Sequence, residues 1–422
     1  MRLIHTSDWH LGHKLHGQNR TEEHQSFLQW LTQQIVDHQI DLLLITGDIF
    51  DTPNPSAQAT QLFYDFLHQT HQQSPKLQVV IIGGNHDSAR RLEAPKTLLK
   101  DLNVNIVGGL SPKEAIDFQR VYIPIRDQAG QVAAWVLAIP YLRPSDLPNH
   151  TPKPENYLIE GVREVYQKAL DGLNQIRTSQ QGLIITGHCY MSQGVMSEDS
   201  ERKILGNHQN ALPLDLFPQD TSYVALGHLH LAQKLAGQES VRYSGSPIPL
   251  SLTERHYQHQ VVLVTLEGNQ FISAEPLYVP RLVDMIRIPD HQGGVGLKQA
   301  LEEIKTLPVL DEDVPNWQRP FLHICIDLKY PEPNLKRDIM SALRGKHPRL
   351  TKIKINRPKQ GDAYLKTHLE VKQLEDLNHE EVFKLCWNRK WPDSDLKDHV
   401  LEAFQTLYLE VMESQQEEDM DM

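Results

Sequence analysis

Apolar residues along this chain fall into short continuous runs, each closed by Gly, Asp, Asn or His. Leu3 to Thr6, Leu42 to Ile45, Val79 to Ile82, Leu183 to Ile185 and Tyr223 to Leu226 are such runs. A run without apolar–polar alternation predicts a strand covered on both faces, as in an α/β sheet. Between the first three lie stretches of helical period. Thr21 to His38 carries Phe27, Leu28, Leu31 and Ile35 on one stripe; Ala57 to Gln69 carries Leu62, Phe63, Phe66 and Leu67. Strand, helix, strand, helix, strand in that order predicts a parallel sheet with right-handed crossovers. Val121–Ile125 and Val132–Ile139 flank Asp127–Gly130 as a hairpin, and Leu158–Ile176 reads as a helix. Val241–Ser244 and Val261–Leu266 are expected to close a second sheet. Two facing sheets flanked by helices make a four-layer α/β/β/α sandwich over residues 1–280.

Beyond Pro280 the pattern changes. Helices over Leu297–Thr306 and Asn334–Leu343 alternate with strands over Phe321–Asp327 and Thr351–Ile355, predicting a small α+β domain over residues 281–372. Residues 373–422 read as helical. Asn378 and Glu381 form a capping box. Leu396, Val400, Phe404, Leu407 and Val411 form an apolar stripe, and an acidic tail runs from Glu413 to Met422.

The length of 422 residues agrees with two or three domains. The net charge of −12 argues against nucleic acid, but its distribution does not. Residues 1–280 carry 21 basic and 28 acidic side chains, residues 281–372 carry 17 and 12, and residues 373–422 carry 4 and 14. The middle segment is a basic island. Arg344, Lys346, Arg349, Lys352, Lys354, Arg357 and Lys359 are placed to follow a phosphate backbone. No apolar stretch is long enough to span a membrane, and the N-terminus lacks a signal peptide's apolar region. Cys189, Cys325 and Cys386 have no metal-type spacing, so a reduced, cytoplasmic location is expected.

Five strand ends carry candidate chemistry: Asp8 with His10, Asp48, Asn85 with His86, His188, and His228 with His230. Ligands sit outside the carboxyl ends of strands in such sheets. Carboxylate, amide oxygen and imidazole together suit a divalent ion such as Mn²⁺, Fe²⁺ or Zn²⁺. There are more ligands than one ion needs, so two ions sharing Asp48 is the natural arrangement. Such a pair can activate a water and stabilise an in-line displacement at phosphorus. His86 is assigned proton donation to the leaving oxygen, with Asp87 fixing its tautomer. Taken singly, each piece has a plain structural reading: a capped turn, an exposed histidine, a turn asparagine. Five in one pattern do not.

The order Asp8-x-His10, Gly47-Asp48-x-x-Asp51, Gly84-Asn85-His86-Asp87, Gly187-His188, Gly227-His228-x-His230 resembles that of the calcineurin-like metallophosphoesterases. His5–Gly12, Gly47–Thr52, Gly84–Ser88, Ala225–His230 and Tyr243–Leu250 look like the bacterial DNA-nuclease members. The resemblance implies one metal on Asp8, His10, Asp48 and His230, and another on Asp48, Asn85, His188 and His228, usually manganese. It implies a catalytic role for His86. Archaeal and eukaryotic relatives often have a histidine where this chain has Asp51, so Asp51 is expected to position His86 or a phosphate-bound water. The implied activity is 3′→5′ exonuclease action on duplex ends and endonuclease cutting of hairpins and single strands, in DNA recombination, replication and repair. The implied partner is an ATPase with a long coiled coil, in a heterotetramer. The C-terminal stripe is suited either to that coiled coil or to its own domain. Two other readings are a phosphoprotein phosphatase or cyclic-nucleotide phosphodiesterase, and a non-catalytic scaffold. The first is disfavoured by Thr52-Pro53 after Asp51 and by Asp87, where common phosphatases have Arg-Gly and Glu. The second is disfavoured by the full ligand set.

Overall fold

The computed structural model describes residues 1–110, 116–148, 157–196, 211–328 and 332–356, and beyond them Phe383, Lys384, Cys386, Trp387, Val400, Leu401 and Phe404. The first sheet runs in the order Gln270–Tyr278, Gln260–Glu267, Arg2–Thr6, Leu42–Thr46, Gln78–Ile82, Val104–Val107. The last four strands are mutually parallel; Gln260–Glu267 is antiparallel to its neighbours on both sides. Side chains alternate between two cores along these strands. Leu3, Leu42, Leu44, Val80 and Ile82 face the second sheet. Ile4, Leu43, Ile45, Val79 and Ile81 face the helices Thr21–Asp37 and Ala57–Gln73, meeting Phe27, Leu31, Phe63 and Phe66. This double burial is why Leu42–Ile45 shows no alternation.

The second sheet runs Gln233–Leu235, Gln238–Tyr243, Tyr223–Gly227, Gly182–His188, Val132–Leu137, Tyr122–Arg126, with its four middle strands parallel. The helix Tyr157–Asn174 packs on it through Val162, Val165, Ala169 and Leu173. The four-layer sandwich is thus as expected, with one correction. Val261–Leu266 belongs to the first sheet, where it pairs with Arg2–Thr6. Its apolar pattern fits either sheet; backbone pairing with the N-terminal strand decides. Val104–Val107 and Gln270–Tyr278 are strands the pattern did not disclose, one short and the other mostly exposed.

Past residue 280, Met285–Ile288, Phe321–Asp327 and Arg349–Asn356 form a three-stranded parallel sheet. The helices Leu297–Thr306 and Leu335–Ala342 cover it through Ala300, Ile304, Leu335 and Ile339. Phe321 anchors this sheet to the rest of residues 1–356. Its ring lies 5.6 Å from the guanidinium of Arg20 and 4.4 Å from that of Arg349. Residues 357–422 form a second compact unit. Within it Phe383 stacks on Phe404 at 4.2 Å. Val400 and Phe404 of the predicted stripe are helical; Leu396, Leu407, Val411, the Asn378–Glu381 capping box and the acidic tail lie outside the described residues. Among the described residues no helix is long and apolar enough to cross a membrane.

Three histidines make this fold acid-sensitive. Burial pushes His5 and His24 down to about 3 and His259 down to about 4. The folded chain refuses protons that the unfolded chain binds below about 6.5. The stability these three contribute is therefore full above that pH and is lost as pH falls toward the folded values, by about 1.4 kcal/mol per unit for each histidine. The thermal midpoint of the metal-free protein should drop between pH 6.5 and pH 5; a flat profile would contradict this account.

Candidate active site

The parallel strands of both sheets deliver their carboxyl ends to one edge. Gly227 ends the second-sheet strand Tyr223–Gly227 and lies against Thr46 of the first; a Cβ on it would come within 2.0 Å of the Thr46 carbonyl oxygen. Gly84 approaches Asp48 as closely, since a Cβ there would come within 2.2 Å of Asp48 Oδ1. Only glycine permits these loops to converge. Backbone bonds then lace them together: Asp8 N to the Gly47 carbonyl at 3.0 Å, and His10 N to the Asp48 carbonyl at 3.0 Å.

Asp8, His10, Asp48 and His228 all have positive φ, at 55°, 47°, 52° and 101°. A non-glycine residue in this region costs about 1–2 kcal/mol. Four such residues coincide with four of the predicted ligands, so strain is present where side chains must be aimed.

His188 Nδ1 donates to the Thr46 carbonyl at 2.9 Å, and its Nε2 meets Asn85 Oδ1 at 2.9 Å and Asp48 Oδ2 at 3.3 Å. Burial opposes charge on this ring, but Asp48 overcomes it and lifts the imidazole to about 9. A proton on Nε2 thus sits where a cation could be held by the same three atoms. Burial also opposes charge on Asp48, yet His188 and then His10 hold it well below the usual carboxylate range. On the other side His10 Nδ1 meets Asp51 Oδ1 at 3.3 Å, and its Nε2 faces Asp48 Oδ2 at 3.6 Å without a hydrogen bond. Burial lowers the His10 pKa, keeping that nitrogen unprotonated. Asp8, His10 and His230 place ligand atoms within 4.8 Å of one another, as do Asp8, Asp48 and His188.

This donor set fits divalent metal. The Nε2 atoms of His10 and His228 are buried without a hydrogen-bond partner among the described residues, which costs about 1–3 kcal/mol each unless something binds there. Two buried carboxylates face each other across the same space, and a cation resolves their repulsion.

Partners outside the ligand set aim it. Glu254 is fully buried; its Oε1 accepts from His230 Nδ1 at 3.0 Å and its Oε2 from Leu250 N at 2.8 Å. Asp51 bridges His10 and His13, whose other nitrogen reaches the Leu250 carbonyl. Fixing one imidazole nitrogen points the other at the metal and makes it more basic. Glu254→Ala should therefore weaken Mn²⁺ binding about 10–100-fold while Glu254→Gln loses less, as read by calorimetric titration.

Asp87 does not fix the His86 tautomer. Its carboxylate accepts from the amides of Ile49, Phe50 and Gly84 and so ties the Asp48 loop to the Asn85 loop. Burial, then repulsion from Asp48, pushes it upward to about 6. The backbone carbonyl of Asp51 takes the tautomer role, accepting from His86 Nδ1 at 2.7 Å. The basic island is also thinner than its composition. Lys346 binds the Lys305 and Leu307 carbonyls, and Arg349 binds the Arg319 and Trp317 carbonyls. Arg344, Lys352 and Lys354 are exposed; Arg357 and Lys359 lie outside the described residues.

A sandwich with this donor set at its sheet edge defines a divalent-metal phosphoesterase. The calcineurin-like phosphoesterase family matches residues 1–232, and the family described as type 5 capsule protein repressor C-terminal domain matches residues 281–390. Within the calcineurin-like phosphoesterases, the chain belongs to the SbcD family, the D subunits of the nuclease SbcCD. It is 39% identical to the SbcD of Rhodobacter capsulatus over 366 residues, covering 85% of this chain and 88% of that protein. It is 35% identical to the SbcD of Escherichia coli K12 over 286 residues, covering 66% and 68%. To the SbcD of Bacillus subtilis it is 34% identical over 266 residues, covering 63% and 66%.

Proposed function

We propose that this chain is the DNA-cleaving component of an SbcCD-type complex. It hydrolyses phosphodiesters with two divalent ions, most simply Mn²⁺, at duplex ends, hairpins and single strands, in recombination, replication and repair. The observation that carries the reading is the meeting of His10 and His188 at one buried carboxylate, Asp48, with Asn85 Oδ1 on the same His188 nitrogen. Asp8, His10, Asp48 and His230 would hold one ion; Asp48, Asn85, His188 and His228 would hold the other. When bound, the pair supplies positive charge to the phosphate and makes a water nucleophilic at neutral pH. Asn85 adds an oxygen ligand without adding negative charge that would repel the substrate. His86, with Nδ1 committed to the Asp51 carbonyl, presents Nε2 to protonate the departing oxygen. Asp51 and Asp87 act as positioning residues, one for the histidines and one for the loops.

Residues 1–280 then form the nuclease domain, residues 281–372 a DNA-capping domain, and residues 373–422 the segment that binds an SbcC-type coiled-coil ATPase in a heterotetramer. Arg344, Lys352 and Lys354 supply the exposed charge of the cap. The decisive measurement is metal content together with cleavage of a hairpin oligonucleotide, with and without the ATPase. A full metal complement with no cleavage of any DNA defeats the reading. Residues 357–422 form their own compact unit, so deleting residues 373–422 should spare Mn²⁺-dependent cleavage and abolish co-purification with the ATPase. Persistent co-purification would place the partner's docking surface elsewhere.

A further inference from the structure

The segment that follows the strand Val132–Leu137 passes in front of the catalytic loops, and the chemistry assigned so far leaves it unused. Tyr141 N donates to the Gly83 carbonyl at 2.9 Å, which pins the segment to the turn before Asn85. The Tyr141 ring stands edge-on to His188, at 6.3 Å and 90°. Two residues on, Arg143 Nη2 donates to the Asp87 carbonyl at 3.3 Å, one residue from His86. Its backbone amide is held by Asp146 Oδ2 at 2.9 Å.

Arg143 is half-buried, and no carboxylate pairs with its guanidinium among the described residues. An arginine carries five N–H donors in a rigid fork. Here one is spent on the Asp87 carbonyl, which orders the side chain, and the others have no hydrogen-bond partner among the described residues, although the Arg143 charge also acts on the Asp146 carboxyl. A guanidinium held beside the proton donor, with its fork open, is preorganised for phosphate. Arg90 and Arg91, exposed in the short helix Ala89–Glu93 after the same loop, add positive charge nearby. The cleft beside Tyr141, lined by Leu142, His188, Tyr190 and Leu212, has a volume of about 40 Å³. A cleft of that size holds a few waters, since one needs roughly 10–15 Å³ of such space. The half-buried Tyr141 ring lines this cleft, and an aromatic ring so placed can pack against a sugar or base edge.

We propose that Arg143 and Tyr141 are substrate-binding residues: Arg143 takes the phosphodiester next to the scissile one on the leaving side, and Tyr141 packs against the nucleoside between them. This rests on the DNA reading above. The placement follows from His86. If its Nε2 meets the leaving oxygen, the strand beyond that oxygen runs past Asp87 and its next phosphate comes to the guanidinium.

The test uses the full chain with Mn²⁺ and two substrates: a labelled single-stranded oligonucleotide with one preferred cut, and bis(p-nitrophenyl) phosphate, which has no second phosphate. Arg143→Ala should raise the oligonucleotide KM and lower the oligonucleotide-to-diester ratio of kcat/KM about tenfold. The salt slope of binding should fall by about one. Arg143→Lys should restore part of the loss and Tyr141→Phe most of what Tyr141→Ala removes. A neutral methylphosphonate at the neighbouring position should cost the wild type what Arg143→Ala costs, and should cost the variant nothing more. An equal fall on both substrates, or unequal Mn²⁺ affinity, would show Arg143 to be only a brace for Asp87. Native oligonucleotide kinetics in Arg143→Ala likewise overturn the proposal alone. Wild-type protein that hydrolyses the small diester but no oligonucleotide overturns the DNA reading, and this inference with it.

Discussion

His86→Ala is expected to lower the rate of phosphodiester cleavage about 10²–10⁴-fold while Mn²⁺ still binds. The ring is placed for proton transfer rather than for scaffolding. Its Nδ1 is tied to the Asp51 carbonyl at 2.7 Å, and its backbone N–H, which survives the substitution, donates to Asp48 Oδ1 at 2.8 Å. The main-chain support of the shared carboxylate is thus preserved when the ring is removed. The competing role is ligation, because a His86 nitrogen lies within 4.8 Å of ligand atoms of His10 and Asp48. Calorimetric titration decides. Unchanged stoichiometry with a lost rate supports the acid; loss of an ion together with the rate makes His86 a ligand. A substrate with a good leaving group, such as a p-nitrophenyl diester, should be spared in part, since its departing oxygen needs no proton.

Asp48→Asn should be more damaging and in a different way. The amide keeps the shape and can still accept from the His86 N–H, but it loses the negative charge that both halves of the site use. Metal content should fall, and activity should drop well beyond the about 10–100-fold that loss of an orienting partner costs. The metal-free variant carries a second signature. Burial lowers the His188 pKa and Asp48 is the largest effect raising it, to about 9. Without that carboxylate the ring should titrate far lower, visible in the imidazole NMR signals. A variant that retains both ions at native affinity removes Asp48 from the centre of the site. The two substitutions together separate holding the metal from moving the proton.

Much of this was open to reading in one dimension. A strand covered on both faces must be apolar at every position, so Leu42–Ile45 announces itself. Ligand types at strand ends, beside glycines that let loops turn, expose the site because metal chemistry restricts the side chains to a few. Where two arrangements share a pattern, the sequence is silent. Val261–Leu266 suits either sheet. Asp87 next to His86 invites a pairing that the fold refuses, since the carboxylate turns inward to three amides. Lys346 and Arg349 count as basic charge yet commit donors to backbone carbonyls.

The sequence by itself determined most of the elements of the first 280 residues and the residues suited to bind metal, and its motifs carried the resemblance to the family. The first two follow from local period and from the few side chains that a cation accepts. Only the tertiary structure decided what aims those residues. Glu254 meets His230 across 24 positions and Arg143 meets Asp87 across 56. No periodicity links such pairs, because they are joined by the packing of two sheets and not by the chain between them. The positive φ at Asp8, His10, Asp48 and His228 is of the same kind: strain at one residue persists only because loops from elsewhere in the fold hold it there.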